Sequence, residues 1–330
     1  MHNPLLVLIT GATGAVGPLV VTAFSNAGYL VRTFSLDRPR DRWPQNVETV
    51  SGDVTDKEAV RKAMIGVDVV IHLAALLHIV NPPPELQKKY EQINVGGTKN
   101  IVEAAVKAGV DRIVFFSTIA VYGMSDGNIL NEDSPTNPAT FYAKTKLAAE
   151  KMVLLAKNKE GLNIGTILRL GAVYGSRIKG NYERLMHALA RHRFIPIGKG
   201  LNRRSLVYDK DVAQAAVLAA FHPVAAGRVY NVTDGEFHTV NEIINSICFA
   251  LGRKRPRVSL PIKPACIIAH IIEKVRQTTG LKLPAVKAMI DKYSEDVIVD
   301  GGLIQKELGF SPRYDLQRGW VETISEMRLG

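Results

Sequence analysis

The sequence predicts an α/β fold, a doubly wound parallel sheet with a smaller C-terminal α/β lobe. Three observations predict it. Short apolar runs alternate with longer stretches of helical period through the first half of the chain, as expected for strands buried on both faces by covering helices. A glycine-rich turn, Gly11-Ala12-Thr13-Gly14-Ala15-Val16-Gly17, joins the first strand to the first helix. After Gly175 the rhythm loosens, so residues 1–175 are expected to form the sheet domain. Residues 176–330 then form mainly the second lobe, with parts of 205–235 returning to the first.

In chain order, the apolar runs place strands at Leu5 to Thr10, Leu30 to Ser35, Glu48 to Ser51, Val67 to Leu73, Arg112 to Ser117 and Asn163 to Leu170. Ala15 to Ala27, Lys57 to Ile65, Leu86 to Ala108 and Tyr142 to Lys157 read as the helices between them. Beyond Gly175 come a helix over Asn181 to Arg191, a loop with Pro196, Gly198 and Gly200, a helix over Asp211 to Phe221, and a strand over Arg228 to Val232. Val240 to Leu251 is helical, Arg253 to Pro264 is basic and proline-containing, and further helices separated by Gly280 and Pro284 follow. No internal repeat, low-complexity tract or flexible linker is visible.

Composition bounds the function. At 330 residues, 46% hydrophobic and 22% charged, the chain is neither a disordered polymer nor a fibrous repeat. Its 42 basic against 31 acidic residues, a formal +11, favour anionic ligands such as nucleotides, nucleic acid or acidic lipid headgroups. Two cysteines, Cys248 and Cys266, are too few for a disulfide framework and lack the spacing of a metal knuckle. Both read as core residues in a reducing, cytoplasmic setting, and no metal site is expected. The N-terminal apolar run is far shorter than the roughly 20 residues of a spanning helix, and it lacks the marks of a secretory signal. The stretch from Ala265 to Ile272 is also short and contains His270, so it reads as a buried helix rather than a membrane insertion.

The turn after the first strand has the form of a phosphate cradle. Backbone N–H groups of Gly11, Thr13, Gly14, Ala15, Val16 and Gly17, with the positive end of the following helix, can face a pyrophosphate. Glycine suits the tight turn and the close approach of phosphate because it has no Cβ. Its spacing is G-x-x-G-x-x-G rather than G-x-G-x-x-G. At the end of the second strand an acid would bond the ribose hydroxyls of NAD, whereas a small polar residue with arginines nearby suits the 2′-phosphate of NADP. Here Ser35 stands in that place, Asp37 follows, and Arg32, Arg38, Arg40 and Arg42 surround it. The cofactor expected is therefore NAD(P), leaning to NADP.

Tyr142 and Lys146 lie four residues apart, which puts a phenol and an ammonium on one helix face. An adjacent ammonium favours phenolate, so the tyrosine can exchange a proton with a hydroxyl or carbonyl near neutral pH. Such pairs are common on helix surfaces. This one gains force from Phe115-Phe116-Ser117-Thr118-Ile119-Ala120-Val121-Tyr122-Gly123 upstream, where a strand delivers a hydroxyl to the sheet's carboxyl edge.

At these residues the chain resembles the extended short-chain dehydrogenase/reductase family, especially its nucleotide-sugar epimerases and reductases such as UDP-glucose 4-epimerase. The resemblance spans nearly the whole sequence. Further motifs match in family order: Gly52-Asp53-Val54, His72-Leu73-Ala74-Ala75 and Asn94-Val95-Gly96-Gly97-Thr98. It implies a Rossmann domain binding NAD(P) through the cradle, Ser35, Asp53, Val54, Leu73, Ala74, Ala75, Tyr142 and Lys146. It also implies Thr118 as the hydroxyl partner, Tyr142 as acid/base, and Lys146 as both tuner of Tyr142 and ligand of the nicotinamide ribose. His72 reads as a packed residue rather than a proton carrier. In the second lobe, the resemblance implies that Asn181 and Arg204 hold the diphosphate of a nucleotide sugar, a role that suits arginine's planar fork. A homodimer through helices such as Leu86 to Ala108 and Tyr142 to Lys157 is implied as well.

Two departures from the family pattern matter, the first against dehydratase activity and the second for the nicotinamide pocket. The acidic pair that 4,6-dehydratases carry after the catalytic threonine is replaced by Ile119-Ala120, which can neither donate nor accept protons. Relatives also commonly place proline after the arginine near the end of the sixth strand, where this chain has Arg169-Leu170-Gly171. The expected reaction is hydride transfer at a sugar carbon, C4 of a UDP-hexose or UDP-N-acetylhexosamine, by an epimerase. A 4-keto-6-deoxy sugar reductase uses the same residues. A steroid or lipophilic-alcohol dehydrogenase shares the cofactor half. A non-catalytic nucleotide sensor or nucleic-acid-associated protein would account for +11 but not for Thr118, Tyr142 and Lys146 together, and no nucleic-acid module is readable.

Overall fold

The computed structural model describes residues 4–39, 42–77, 83–125, 127–264, 267 and 296–327. Arg40, Cys266, His270, the rest of 265–272 apart from Ile267, and the helices expected around Gly280 and Pro284 lie outside these residues. Seven parallel strands form the central sheet: β1 Leu6–Thr10, β2 Leu30–Ser35, β3 Val47–Ser51, β4 Val69–His72, β5 Arg112–Thr118, β6 Gly165–Leu170 and β10 Val229–Val232. Their spatial order is β10-β6-β5-β4-β1-β2-β3. That order reverses direction on either side of β1, so the carboxyl ends of β1 and β4 flank the crevice where such sheets bind ligands. Register is fixed by pairs such as Leu8 with Arg32, Leu8 with Val70, and Thr118 with Leu170.

Helices α1 (Gly17–Asn26), α2 (Lys57–Ala63), α4 (Thr98–Ala108), α5 (Phe141–Leu154) and α7 (Asp209–Phe221) cover this sheet, α3 (Pro84–Tyr90) packs on α5, and α6 (Asn181–Ala190) belongs to a separate core. Each sheet face has its own apolar core, one built on Ile9, Phe24, Leu168 and Tyr230, the other on Leu8, Phe34, Ile101 and Ile167. Caps set several helix starts. Asp56 accepts from the Glu58 and Ala59 backbone N–H groups to begin α2, and Thr140 accepts from Ala143 N at 3.2 Å to begin α5.

The structure departs from the sequence reading in three places. The single helix expected from Leu86 to Ala108 is two helices joined by a π-helical turn over Glu91–Gly97. The wider turn brings Asn94 inward and lets Gly97 pack against Val54, where a Cβ would fall 2.6 Å from a Val54 methyl. The strand expected from Asn163 begins at Gly165 and the preceding helix ends at Leu154, because Asn158 Oδ1 accepts from Glu160 N and Leu162 N and turns the chain there. Short strands β7 (Ala172–Tyr174) and β9 (Leu206–Tyr208) pair in parallel, and β8 (Arg203–Arg204) pairs antiparallel with β11 (His238–Thr239). None of these four was expected.

A separate apolar core holds Tyr174, Tyr208 and Trp320 with Ile243, Ile244 and Ile247 of α8 (Val240–Ala250). Cys248 is buried there, as expected. Two C-terminal helices, α9 (Gly302–Leu308) and α10 (Leu316–Glu326), complete the described chain. No helix among the described residues is long and apolar enough to cross a membrane.

Candidate active site

The cradle forms where β1 turns into α1. Gly11 has φ +68°, and a Cβ there would lie 2.7 Å from the Ala74 backbone nitrogen, so glycine lets the loops after β1 and β4 touch. Gly17 is as tight, since its Cβ would fall 2.3 Å from Ala12 O. Gly14 differs: a Cβ would meet just the Gly11 carbonyl oxygen at 3.1 Å, which leaves space above the turn. Val16 caps α1 without a side-chain hydrogen bond, and the first turn has no acid. The helix's positive end is therefore uncompensated and fits an anion. Thr13, Gly14, Ala15 and Val16 are all at least partly exposed along this rim.

The remaining cofactor candidates lie at neighbouring carboxyl ends of the same sheet. Ser35 ends β2, is buried, and its hydroxyl accepts from Thr13 N at 3.3 Å. Asp53 follows β3, where its carboxylate accepts from Thr55 N at 2.8 Å, and Val54 O accepts from Asn100 at 3.0 Å. Leu73, Ala74 and Ala75 follow β4 and are partly exposed. The arginines divide. Arg32 points back along the sheet to Glu48 at 2.7 Å and to the carbonyls of Ala63 and Ile65, so its guanidinium is engaged within the protein. Arg38 and Arg42 are exposed beyond Ser35. Glycine cradle, uncapped helix and a polar rim spread over four strand ends together fit an extended dinucleotide.

Beneath the cradle, His72 belongs to a closed hydrogen-bond chain. Ala74 N donates to Thr10 Oγ1 at 3.2 Å, and Thr10 Oγ1 is 2.6 Å from His72 Nδ1. On the other side His72 Nε2 is 2.9 Å from Thr98 Oγ1, which donates to Asn94 O at 2.7 Å. With the Thr98 proton spent on Asn94, His72 Nε2 must be the donor and Nδ1 the acceptor from Thr10. Burial, helped by the charge of Lys146, pushes the imidazole down to about 3, so it stays neutral. His72 is a tie between β1, β4 and α4.

The catalytic candidates lie on α5 and at the end of β5, two elements that pack together. Lys146 is 2% exposed, and its Nζ sits 3.9 Å above the centre of the Phe115 ring. Burial pushes Lys146 down to about 7, while the Glu150 carboxylate pulls it back up. Tyr142, one turn earlier, packs edge-on to Tyr90 with ring centroids 6.3 Å apart. The expected lowering of its pKa does not hold within the protein alone: burial, with Tyr90 adding to it, pushes the phenol up to about 12. The physical reason is that loss of solvent around the phenol disfavours its charged form, and Tyr90 adds to that penalty. Thr118 ends β5 partly exposed, and its Oγ1 accepts from Ala120 N at 3.2 Å, with no acceptor for the hydroxyl proton among the described residues. Ile119 is buried and Ala120 carries no functional group, so no acid follows the threonine.

Four buried polar residues to which the sequence reading gave no role support the site: Asn94, Ser117, Glu150 and Arg169. Asn94 fixes the loop after β4, accepting from Leu76 N at 2.7 Å and donating to Thr145 Oγ1 at 3.1 Å. Behind Lys146, Glu150 takes a short hydrogen bond from Ser117 and an ion pair from Arg169. The signal was present: an acid one turn beyond Lys146, and an arginine inside an otherwise apolar strand, both of which need buried partners.

In the second lobe, Arg203 and Arg204 have different fates. Arg203 donates its backbone N–H to Asp296 at 2.6 Å, and its guanidinium lies 3.6 Å from the same carboxylate. Arg204 neighbours Tyr182, whose phenol burial pushes up to about 12 against the pull of the arginine's charge. Asn181 begins α6 beside Tyr182 and is exposed, at the mouth of a cavity of about 50 Å³ that Tyr174, Gly175 and Trp320 also line. A larger hollow of about 630 Å³, lined by His238, Glu242, Asp315 and Arg318, contains none of the expected site residues. Among the described residues no cluster of histidine, cysteine and acidic side chains could hold a metal ion.

Comparison with known proteins agrees with this architecture. Residues 7–233 match the model of the NAD dependent epimerase/dehydratase family, and the chain belongs to that family. It is 29% identical over 320 residues to the N-acetyl-alpha-D-glucosaminyl-diphospho-ditrans,octacis-undecaprenol 4-epimerase of Escherichia coli O157:H7, covering 96% of this chain and 94% of that protein. It is 31% identical over 333 residues to the 3-beta-hydroxysteroid dehydrogenase of Mycolicibacterium neoaurum, covering 96% and 90%. Among solved structures, MoeE5 in complex with UDP-glucuronic acid and NAD superposes with a TM-score of 0.75 at 25% identity, covering 98% of each chain.

Proposed function

We propose that this protein is a nucleotide-sugar epimerase that inverts C4 of a UDP-hexose or UDP-N-acetylhexosamine by transient hydride transfer. The observation that carries the reading is the packing of α5 on β5, with Lys146 buried over Phe115 one helical turn from Tyr142 and Thr118 at the strand's end. Bound NAD(P) supplies the hydride acceptor and donor. Thr118 donates its uncommitted proton to the sugar oxygen and orients it. Tyr142 takes the hydroxyl proton as C4 is oxidised and returns it when the ketone is reduced on its other face. Lys146 holds the phenolate once substrate and cofactor exclude water, where a neighbouring ammonium favours the charged phenol most strongly. Arg204 and Asn181 hold the diphosphate. The Escherichia coli 4-epimerase of a diphospho-undecaprenol-linked sugar supports the C4 chemistry, and the UDP-glucose 4-epimerase relative of Vibrio cholerae and the UDP-sugar in MoeE5 support the UDP-sugar.

Ser35 in place of an acid, with Arg38 and Arg42 beyond it, supports a preference for NADP. Calorimetric titration of stripped protein with each cofactor tests that preference, and much tighter NAD binding would assign the ribose to Asp37. Native mass measurement of the purified protein tests epimerase against reductase. A cofactor that co-purifies supports the epimerase, because oxidised and reduced forms are regenerated within one cycle; an empty site favours a reductase fed from solution. The same chemistry on a steroid or other lipophilic alcohol is the second reading, supported by the 31% identity to a steroid dehydrogenase.

A further inference from the structure

Two stretches of the second lobe hold most of the chain's charge excess. Residues 191–201 and 252–263 carry eight lysines and arginines and no carboxylate, whereas the other 307 residues set 34 basic side chains against 31 acidic ones. These 23 residues thus supply eight of the formal +11. They lie side by side in the fold. Leu260 N donates to Pro196 O at 2.8 Å, Gly198 N donates to Leu260 O at 2.8 Å, and the Arg253 guanidinium contacts the His192 ring. Arg191, Arg193, Lys199, Lys254, Arg255, Arg257 and Lys263 are all exposed, and none forms an ion pair among the described residues.

Large apolar side chains stand among these cations. Ile195, Leu201, Val258 and Ile262 are between 48% and 74% exposed, and Phe249, at the end of α8 beside Arg253, is 62% exposed. Cations alone would suit any polyanion, but apolar side chains left in water among them need a partner with an apolar interior beneath its charge. A bilayer with anionic headgroups has that layering: arginine and lysine stay with the phosphates while aliphatic side chains enter the acyl boundary. A nucleic acid does not, since single strands are held by aromatic stacking and duplexes by phosphate contacts, and four of these five side chains are aliphatic.

We propose that the rim formed by residues 191–201 and 252–263 attaches the protein peripherally to an anionic membrane surface. The proposal does not depend on which alcohol the active site oxidises.

Sedimentation of the full chain with vesicles tests it, using phosphatidylcholine alone and phosphatidylcholine with about one third phosphatidylglycerol. The wild type should partition into the anionic vesicles and not the neutral ones, and should be released by salt as exposed charges are screened. A cation near such a surface contributes about 1 kcal/mol, or about fivefold, so Lys254→Glu, Arg255→Glu and Arg257→Glu combined should lower partitioning by about 100-fold or more. All three are exposed, so cofactor binding and melting temperature should not change. Ile195→Ser with Val258→Ser keeps every charge and should weaken binding to the anionic vesicles at low salt. Failure of the wild type to bind anionic vesicles, or unchanged binding by the charge-reversed variant, would overturn the proposal. Tighter retention on a duplex or single-stranded oligonucleotide than on the vesicles would overturn it in favour of nucleic acid.

Discussion

Glu150 and Arg169 meet inside the sheet domain with carboxylate and guanidinium 2.8 Å apart, at 1% and 7% side-chain exposure. Ser117 donates to the same carboxylate, and the guanidinium lies 4.7 Å from the centre of the Tyr122 ring. Glu150 is also one helical turn beyond Lys146, so a single carboxylate neutralises an arginine and supports the charge of the lysine.

Removing that charge should be costly. Glu150→Gln keeps the volume and leaves Arg169 buried without its counter-ion, for which breaking one side of a buried pair predicts a loss of about 3–5 kcal/mol. Urea unfolding of the variant measures it. A loss under about 1 kcal/mol would mean that the pair is solvated or replaced by another acid.

Lys146 should leave a signature in the pH dependence of stability. Burial holds it down to about 7 from its ordinary 10.5. Across that window the unfolded chain binds a proton that the folded chain sheds, so its contribution makes stability rise with pH from about 7 towards 10.5. Lys146→Met should abolish this rise and be the more stable protein near pH 7, as read by denaturant titrations at a series of pH values. Parallel profiles for the two proteins would contradict the burial of the ammonium.

Much of this architecture was legible because buried parallel strands need unbroken apolar runs. Leu30–Ser35 matches the expected strand end for end, and the remaining sheet strands differ by a few residues. The cradle and the Tyr142–Lys146 spacing are local patterns, so they too could be read. What was not legible depends on contacts distant in sequence. The π turn at Glu91–Gly97 exists to bring Asn94 to Leu76 and Thr145, and nothing within that segment reveals partners 18 and 51 residues away. Arg32 illustrates the converse, since its place near Ser35 suggested a phosphate ligand while strand register gave it to Glu48.

Tyr142→Phe should remove most turnover while leaving the fold and cofactor binding intact, because it deletes one hydroxyl at nearly constant volume. A general acid or base contributes roughly 100- to 10,000-fold. Steady-state rates within a few-fold of wild type would take Tyr142 out of the mechanism.

Arg204→Ala should weaken UDP and UDP-sugar together and leave cofactor affinity alone. Losing a charge-assisted hydrogen bond costs roughly 1.5–3 kcal/mol, about tenfold or more in affinity. Calorimetry with UDP alone isolates the effect from chemistry at the sugar, and an unchanged Kd would remove Arg204 from the diphosphate site.

The most direct test of the central claim is to incubate the protein with UDP-hexoses in deuterated water and follow C4 by nuclear magnetic resonance. Because the hydrogen leaves and returns as hydride within one site, the account predicts interconversion of the C4 epimers with no deuterium from solvent at C4. Deuterium at the inverted carbon, or no conversion of any nucleotide sugar while an uncharged alcohol is oxidised efficiently, would contradict it.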